Sequence, residues 1–352
     1  MKLIHGGDIA GYEIRYGHKP LDFSASLNPL GMPERVVAAA QKAVAEATPY
    51  PDPLCRQLTA ALSARLDVPA ECIFCGNGAA DVIFRLVQAL KPAKALLVEP
   101  TFAEYEEALA AQGCGIRRHR LDEANRFRPD AGILADIEHG IDIMFLCQPN
   151  NPTGHLTDPG LLEAVLDRCE ELGVFLVVDE CFLSFVRDAA RFSLMREVSV
   201  RKRLFILDSF TKLYGMAGIR LGYGVCGDAD LIERLRRAGQ PWSVSTVAQA
   251  AGLASLKEEE YVKDTLEVVR IEKEWLSGEL VRLGLDVIGG EANYLFFHAG
   301  VPDLVARLAD AGILVRDCRN FHGLRAGHIR VAVRTREDNA RLVAALDTIM
   351  GR

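Results

Sequence analysis

A chain of 352 residues with 49% hydrophobic content is long enough to bury a large core and to divide into two domains. Its formal net charge of −7 argues against a nucleic-acid or anionic-membrane partner, and the short basic clusters at Arg201-Lys202-Arg203 and at Arg234, Arg236 and Arg237 read as solvated faces. No run approaches the ~18 apolar residues of a membrane span, residues 1–8 lack the apolar core of a signal peptide, and nine cysteines, an odd number, suit a reducing cytoplasm. The first distinct element is the apolar run Cys72-Ile73-Phe74-Cys75, whose cysteines read as buried thiols; no second pair stands nearby to complete a metal site, and none is expected.

Gly76-Asn77-Gly78-Ala79-Ala80-Asp81 then opens an apolar helix over 82–90. Small residues at a helix N-terminus leave backbone N–H groups free to hold a phosphate. An apolar run at 95–98 leads into Pro100-Thr101-Phe102-Ala103-Glu104-Tyr105, where Phe102 either joins the core or stacks on a flat ring. The run at 141–146 precedes the stiff turn Gln148-Pro149-Asn150-Asn151-Pro152-Thr153-Gly154. A helix at 161–172 follows, apolar at Leu162, Val165, Leu166 and Cys169. The run at 174–178 ends at Asp179, which either caps the next element or pairs with a ring nitrogen.

The run at 204–207 passes directly into Asp208-Ser209-Phe210-Thr211-Lys212, with Arg220 eight residues beyond the lysine. A lysine past a strand end usually snorkels to the surface. One that forms a Schiff base needs cationic or desolvating neighbours to lower its pKa, and Ser209, Thr211 and Arg220 suit a phosphate. Apolar runs alternating with helices predict a mostly parallel α/β sheet whose ligands bind at the strands' carboxyl ends. Beyond Gly239, a long helix at 258–283, runs at 293–297, 313–316 and 329–333, and a closing helix at 337–350 predict a smaller α+β domain.

The motifs fall at strand ends in a fixed order: phosphate loop, aromatic, Asn, Asp, Lys, Arg. In that order they resemble the fold-type I pyridoxal-phosphate enzymes of the aspartate aminotransferase superfamily, over essentially the whole chain, and within it the branch of histidinol-phosphate aminotransferase. The resemblance implies pyridoxal 5'-phosphate as cofactor, with Lys212 as the Schiff-base lysine and proton carrier. It implies Asp179 on the pyridinium, Asn151 on the phenolic oxygen, Phe102 on the ring, and Gly78, Ala79, Ser209 and Arg220 on the phosphate. Tyr50 is then the tyrosine that reaches the partner's phosphate in a homodimer, and Arg330 binds the substrate carboxylate. The implied division is an N-terminal arm (1–30), a large cofactor-binding domain (31–240) and a small domain (241–352) joined by the arm.

His5-Gly6-Gly7-Asp8, the arm segment at 22–31 and Gln240-Pro241-Trp242-Ser243-Val244 are similar to the decarboxylases of that branch, which act on a phosphorylated amino acid in cobalamin assembly. Phe182 stands where the aminotransferases carry a tyrosine, and Asp8 and Ser26 replace the more usual asparagines. This resemblance implies a phosphorylated amino-acid substrate, L-threonine O-3-phosphate or serine phosphate, clamped by a set drawn from His5, Asn28, Asn151, Arg316, Arg330 and Arg334. The alternatives are transamination of histidinol phosphate and, from another class, a DNA-binding regulator, for which the acidic chain leaves no added module.

Overall fold

The computed structural model describes residues 5–351, so the first four residues of the arm lie outside it. The arm contributes a helix, Ile9–Tyr16, and a two-residue strand, β1 (Leu21–Asp22). Seven strands then build the main sheet: β2 (Ile73–Gly76), β3 (Lys94–Glu99), β4 (Gly115–Arg120), β5 (Ile143–Cys147), β6 (Phe175–Asp179), β7 (Leu204–Ser209) and β8 (Gly222–Val225). Their order is β2-β8-β7-β6-β5-β3-β4, parallel throughout except β8, which runs against both neighbours.

Every residue of β5 and β6 is buried, because helices cover both faces. Successive side chains face opposite layers: Leu176 and Val178 join one apolar cluster, Phe175 and Val177 the other. β4 is a strand that hydrophobic patterning misses. It reads Gly-Ile-Arg-Arg-His-Arg, lies at the sheet edge, and its side chains pair outward, Arg117 with Asp136 at 2.6 Å and His119 with Asp136 at 2.8 Å. An edge position lets charged residues adopt a strand that a central position would reject.

Past residue 239, β9 (Asp286–Gly289), β10 (Tyr294–His298), β12 (Arg316–Asp317) and β13 (His328–Ala332) form an antiparallel sheet in the order β12-β13-β10-β9. β11 (Ile313–Leu314) instead pairs in parallel with β1, and Phe23, fully buried, enters the apolar cluster of this sheet beside Leu280, Leu295 and Leu342. The arm is therefore built into the C-terminal part. The 24-residue helix Glu259–Arg282 runs from one part to the other: Thr265 receives a hydrogen bond from Asn28, while Leu276 and Leu280 sit in the C-terminal cluster. The helix Thr246–Ser255, beyond the expected boundary at 240, packs on the helices Glu34–Ala45 and Arg56–Leu66 of the preceding part. Gly252 permits the close approach, since a Cβ there would stand 2.5 Å from Leu221. Among the described residues no helix is long and apolar enough to cross a membrane.

Candidate active site

A cavity of about 340 Å³ opens beside the carboxyl ends of the central strands. β7 turns at Ser209 into the short helix Phe210–Leu213, which carries Lys212 into this cavity. Burial, then the Arg330 guanidinium and more weakly that of Arg220, pushes the Lys212 amine down to about 8, against the opposing pull of Asp179. The amine lies 5.4 Å from the centre of the Phe182 ring, so an apolar face stands where a phenol would otherwise approach. β6 is the neighbour of β7, and its last residue is Asp179.

Both oxygens of Asp179 are held. The Tyr105 hydroxyl donates to Oδ2 at 2.5 Å, and the Cys181 backbone N–H donates to Oδ1 at 3.0 Å. Tyr105 is itself buried and stacked on Phe145 with ring centres 4.8 Å apart; burial, reinforced by the neighbouring carboxylate, raises its phenol pKa well above the ordinary value. It is therefore a fixed donor.

One wall is an anion cradle. It comprises the N-terminus of the helix Ala79–Leu90, the hydroxyls of Ser209 and Thr211 at 3.0 Å from each other, and the Arg220 guanidinium. Gly78 has φ 84°, and a Cβ there would stand 2.5 Å from Arg220 Nη2, so only glycine lets the guanidinium close on the loop.

The opposite wall holds two more arginines. Arg330, on β13, donates from Nη1 to Asn151 Oδ1 and from Nη2 to Ser24 O at 3.1 Å, and lies 5.0 Å from the Tyr294 ring centre. Its Nε is buried with no partner among the described residues, a donor that an anionic ligand can satisfy. Arg316, on β12, lies 4.9 Å from the Phe321 ring centre and donates to Asp317 O at 2.6 Å. At the mouth, His5 bonds Glu104 at 2.6 Å beside Phe102.

The cavity thus brings together Lys212, Asp179, Ala79, Phe102, Asn151, Ser209, Arg220, His5, Arg316 and Arg330, with Gly78 against Arg220. Two expected substrate contacts lie elsewhere. The Asn28 amide is buried and donates to Leu213 O at 2.6 Å and Thr265 Oγ1 at 2.7 Å, which ties the arm to the lysine turn and to the long helix. Arg334 pairs with Asp338 at 2.9 Å, donates to Asp22 O at 3.1 Å, and does not line the cavity. Tyr50 is 79% exposed and stacks on Trp242 rather than entering its own chain's cavity. Sequence reasoning named neither Tyr105 nor Glu104 as a site residue, although both stand in the Pro100-to-Tyr105 string. Nor did it name Phe321, for which no local pattern offered a signal.

An anion cradle, a buried low-pKa amine and a fixed carboxylate at adjoining strand ends fit the phosphate, aldehyde and ring nitrogen of pyridoxal phosphate. A model of the family "Aminotransferase class I and II" matches residues 18–346, and the chain belongs to that family. It is a pyridoxal-phosphate-dependent enzyme of fold type I. Threonine-phosphate decarboxylase of Salmonella typhimurium is 39% identical to it, across 98% of this chain and 96% of the relative. A histidinol-phosphate aminotransferase of Symbiobacterium thermophilum is 37% identical across 95% and 91%. The crystal structure of the Clostridium acetobutylicum histidinol-phosphate aminotransferase superposes with a TM-score of 0.87 at 27% identity, covering 94% of this chain and 99% of that one.

Two outcomes follow from this geometry. In the cofactor-free protein, the Lys212 amine should react with an amine-directed reagent with a midpoint at pH about 8, read by peptide mapping; a midpoint near the ~10.4 of an ordinary lysine would contradict the burial argument. Asn28→Ala should lower unfolding free energy by about 1–3 kcal/mol in a urea titration, because it strands buried hydrogen-bonding groups. A raised KM without lost stability would instead restore Asn28 to the substrate site.

Proposed function

We propose that this enzyme decarboxylates a phosphorylated amino acid, L-threonine O-3-phosphate, to (R)-1-amino-2-propanol O-2-phosphate, a reaction of cobalamin biosynthesis. The observation that carries this reading is the cationic wall: two arginines lie buried in it, and the arm adds His5 at the mouth. That set suits a substrate bearing both a carboxylate and a phosphate, whereas histidinol phosphate bears only the phosphate. The 39% identity to the Salmonella threonine-phosphate decarboxylase supports the same choice.

When bound, pyridoxal phosphate supplies a conjugated system that accepts the electron pair released at Cα. In this reading Lys212 carries it. Ser209, Arg220, Ala79 and the Gly78 loop would hold its phosphate, Asp179 would pair with its ring nitrogen and Asn151 with its phenolic oxygen, and Phe102 would pack against it. Arg330, Arg316 and His5 hold the anionic groups of the substrate. With the substrate phosphate as handle, these residues would leave the carboxylate free to depart from Cα as CO₂. The Lys212 amine would hold the proton that replaces the carboxylate on Cα; at about 8 its pKa suits proton transfer near neutral pH. Phe182 keeps that approach apolar. The enzyme acts as a homodimer in which Tyr50, exposed on its own chain, reaches the partner's cofactor phosphate.

Purified holoenzyme given L-threonine O-3-phosphate should release CO₂ with no keto-acid acceptor present. Acceptor-dependent conversion of histidinol phosphate with no CO₂ from threonine phosphate would replace this reading with transamination. Phe182→Tyr should shift the cofactor's absorbance band, because it returns a hydroxyl to the lysine's surroundings, with CO₂ release still the main reaction. A wholesale change to transamination in that variant would locate reaction choice at position 182 and not at the anion clamp.

A further inference from the structure

Glu104 is a carboxylate at the mouth of a cavity whose nearer wall, with Arg316 and Arg330, is supplied for anions. Left alone it would repel a phosphate dianion, and the structure places a histidine against it. His5 Nε2 stands 2.6 Å from Glu104 Oε1, with the two side chains 40% and 19% exposed. The path that brings His5 there is fixed at several points. The arm's helix is tied to the C-terminal part by the Tyr12 hydroxyl on Ala309 O at 2.6 Å and the Tyr16 hydroxyl on Asp310 at 3.0 Å. Gly7 N–H donates to Ser24 Oγ at 2.6 Å, and Gly6 lies so close that a Cβ would meet Ser24 O at 2.4 Å. The last step is the bond to Glu104, in the first turn of the helix Ala103–Ala111. The same turn receives a second histidine, His322 on Glu106 at 2.8 Å, next in sequence to cavity-lining Phe321.

We infer that Glu104 is a positioning residue: it holds His5 by one ring nitrogen so that the other faces the phosphate of the substrate. An imidazolium donates from both nitrogens, so it can bridge a carboxylate and a phosphate while cancelling the repulsion between them. The first helical turn of Ala103–Ala111 is thereby the catch on which the arm closes the site. This inference rests on the phosphorylated-substrate reading and adds to it the residue that orients the arm's contribution. A glutamate in a first turn also complements the helix dipole, but that effect does not depend on His5.

The test is a double-mutant cycle in the holoenzyme with His5→Ala, Glu104→Ala and the pair, measuring kcat and KM for L-threonine O-3-phosphate. The same cycle is followed by the Kd of inorganic phosphate, from its effect on the cofactor's absorbance. Each single change should raise KM and Kd by about tenfold, with a smaller effect on kcat, and in the His5→Ala background Glu104→Ala should weaken phosphate binding no further and should recover part of the loss, because it removes the uncovered carboxylate. Glu104→Gln, which keeps an acceptor for the ring, should recover part of the loss. Independent, additive effects of the two residues on the phosphate Kd would overturn the inference, as would a Glu104→Ala variant whose phosphate affinity is unchanged or improved. Absence of CO₂ release by the wild-type enzyme would instead count against the substrate reading, and the phosphate cycle would still decide the role of Glu104.

Discussion

A lysine withdrawn from water between two guanidinium groups cannot keep its ordinary basicity, and much of the site is arranged around that constraint. Lys212 loses hydration because β7 ends inside the fold, and it gains Arg330 and Arg220 as neighbours of like charge. Asp179 is the opposing charge, and strand pairing supplies it: β6 and β7 lie side by side in parallel, so the residues that follow their carboxyl ends face one cavity. A site this rich in buried cations favours ligands that bring anions. The helix N-terminus, the two hydroxyls and the unpartnered Arg330 Nε all point to the same ligand chemistry.

The sheet and most of the site were legible in the sequence because both rest on local signals. Apolar runs marked five of the seven central strands closely enough to put Asn151, Asp179 and Lys212 at strand ends, and the order of the motifs then identified the family. What was not legible depends on contacts between distant segments. Asn28 and Arg334 looked like anion or amide donors awaiting a ligand, yet each is occupied by backbone carbonyls and side chains that only the folded arm brings near. Tyr105 carried no reading of its own; its role follows from where the helix Ala103–Ala111 packs, which lets one phenol reach Asp179 at the end of β6. Strand β4 was invisible for a different reason, since edge strands need no apolar alternation.

The arm joins these levels. Its strand β1 extends the C-terminal part, its Phe23 fills that part's core, and its first described residue reaches the mouth of a cavity whose floor belongs to the main sheet. The arm is thus both a structural element and a portion of the site wall. Gly6 is explained by the narrow passage over Ser24.

The charged edge strand has a consequence of its own. A seven-stranded sheet that stays open exposes unpaired backbone on its outermost strands, and such edges invite one molecule to continue the sheet of another. β4 presents arginines and a histidine along that border, already committed to Asp136, Glu138 and Glu106. Edge-to-edge aggregation would have to break those pairs and bring like charges of two copies together. Pairing of two copies through this sheet border is thereby disfavoured, a safeguard that an all-apolar strand at the same place would remove.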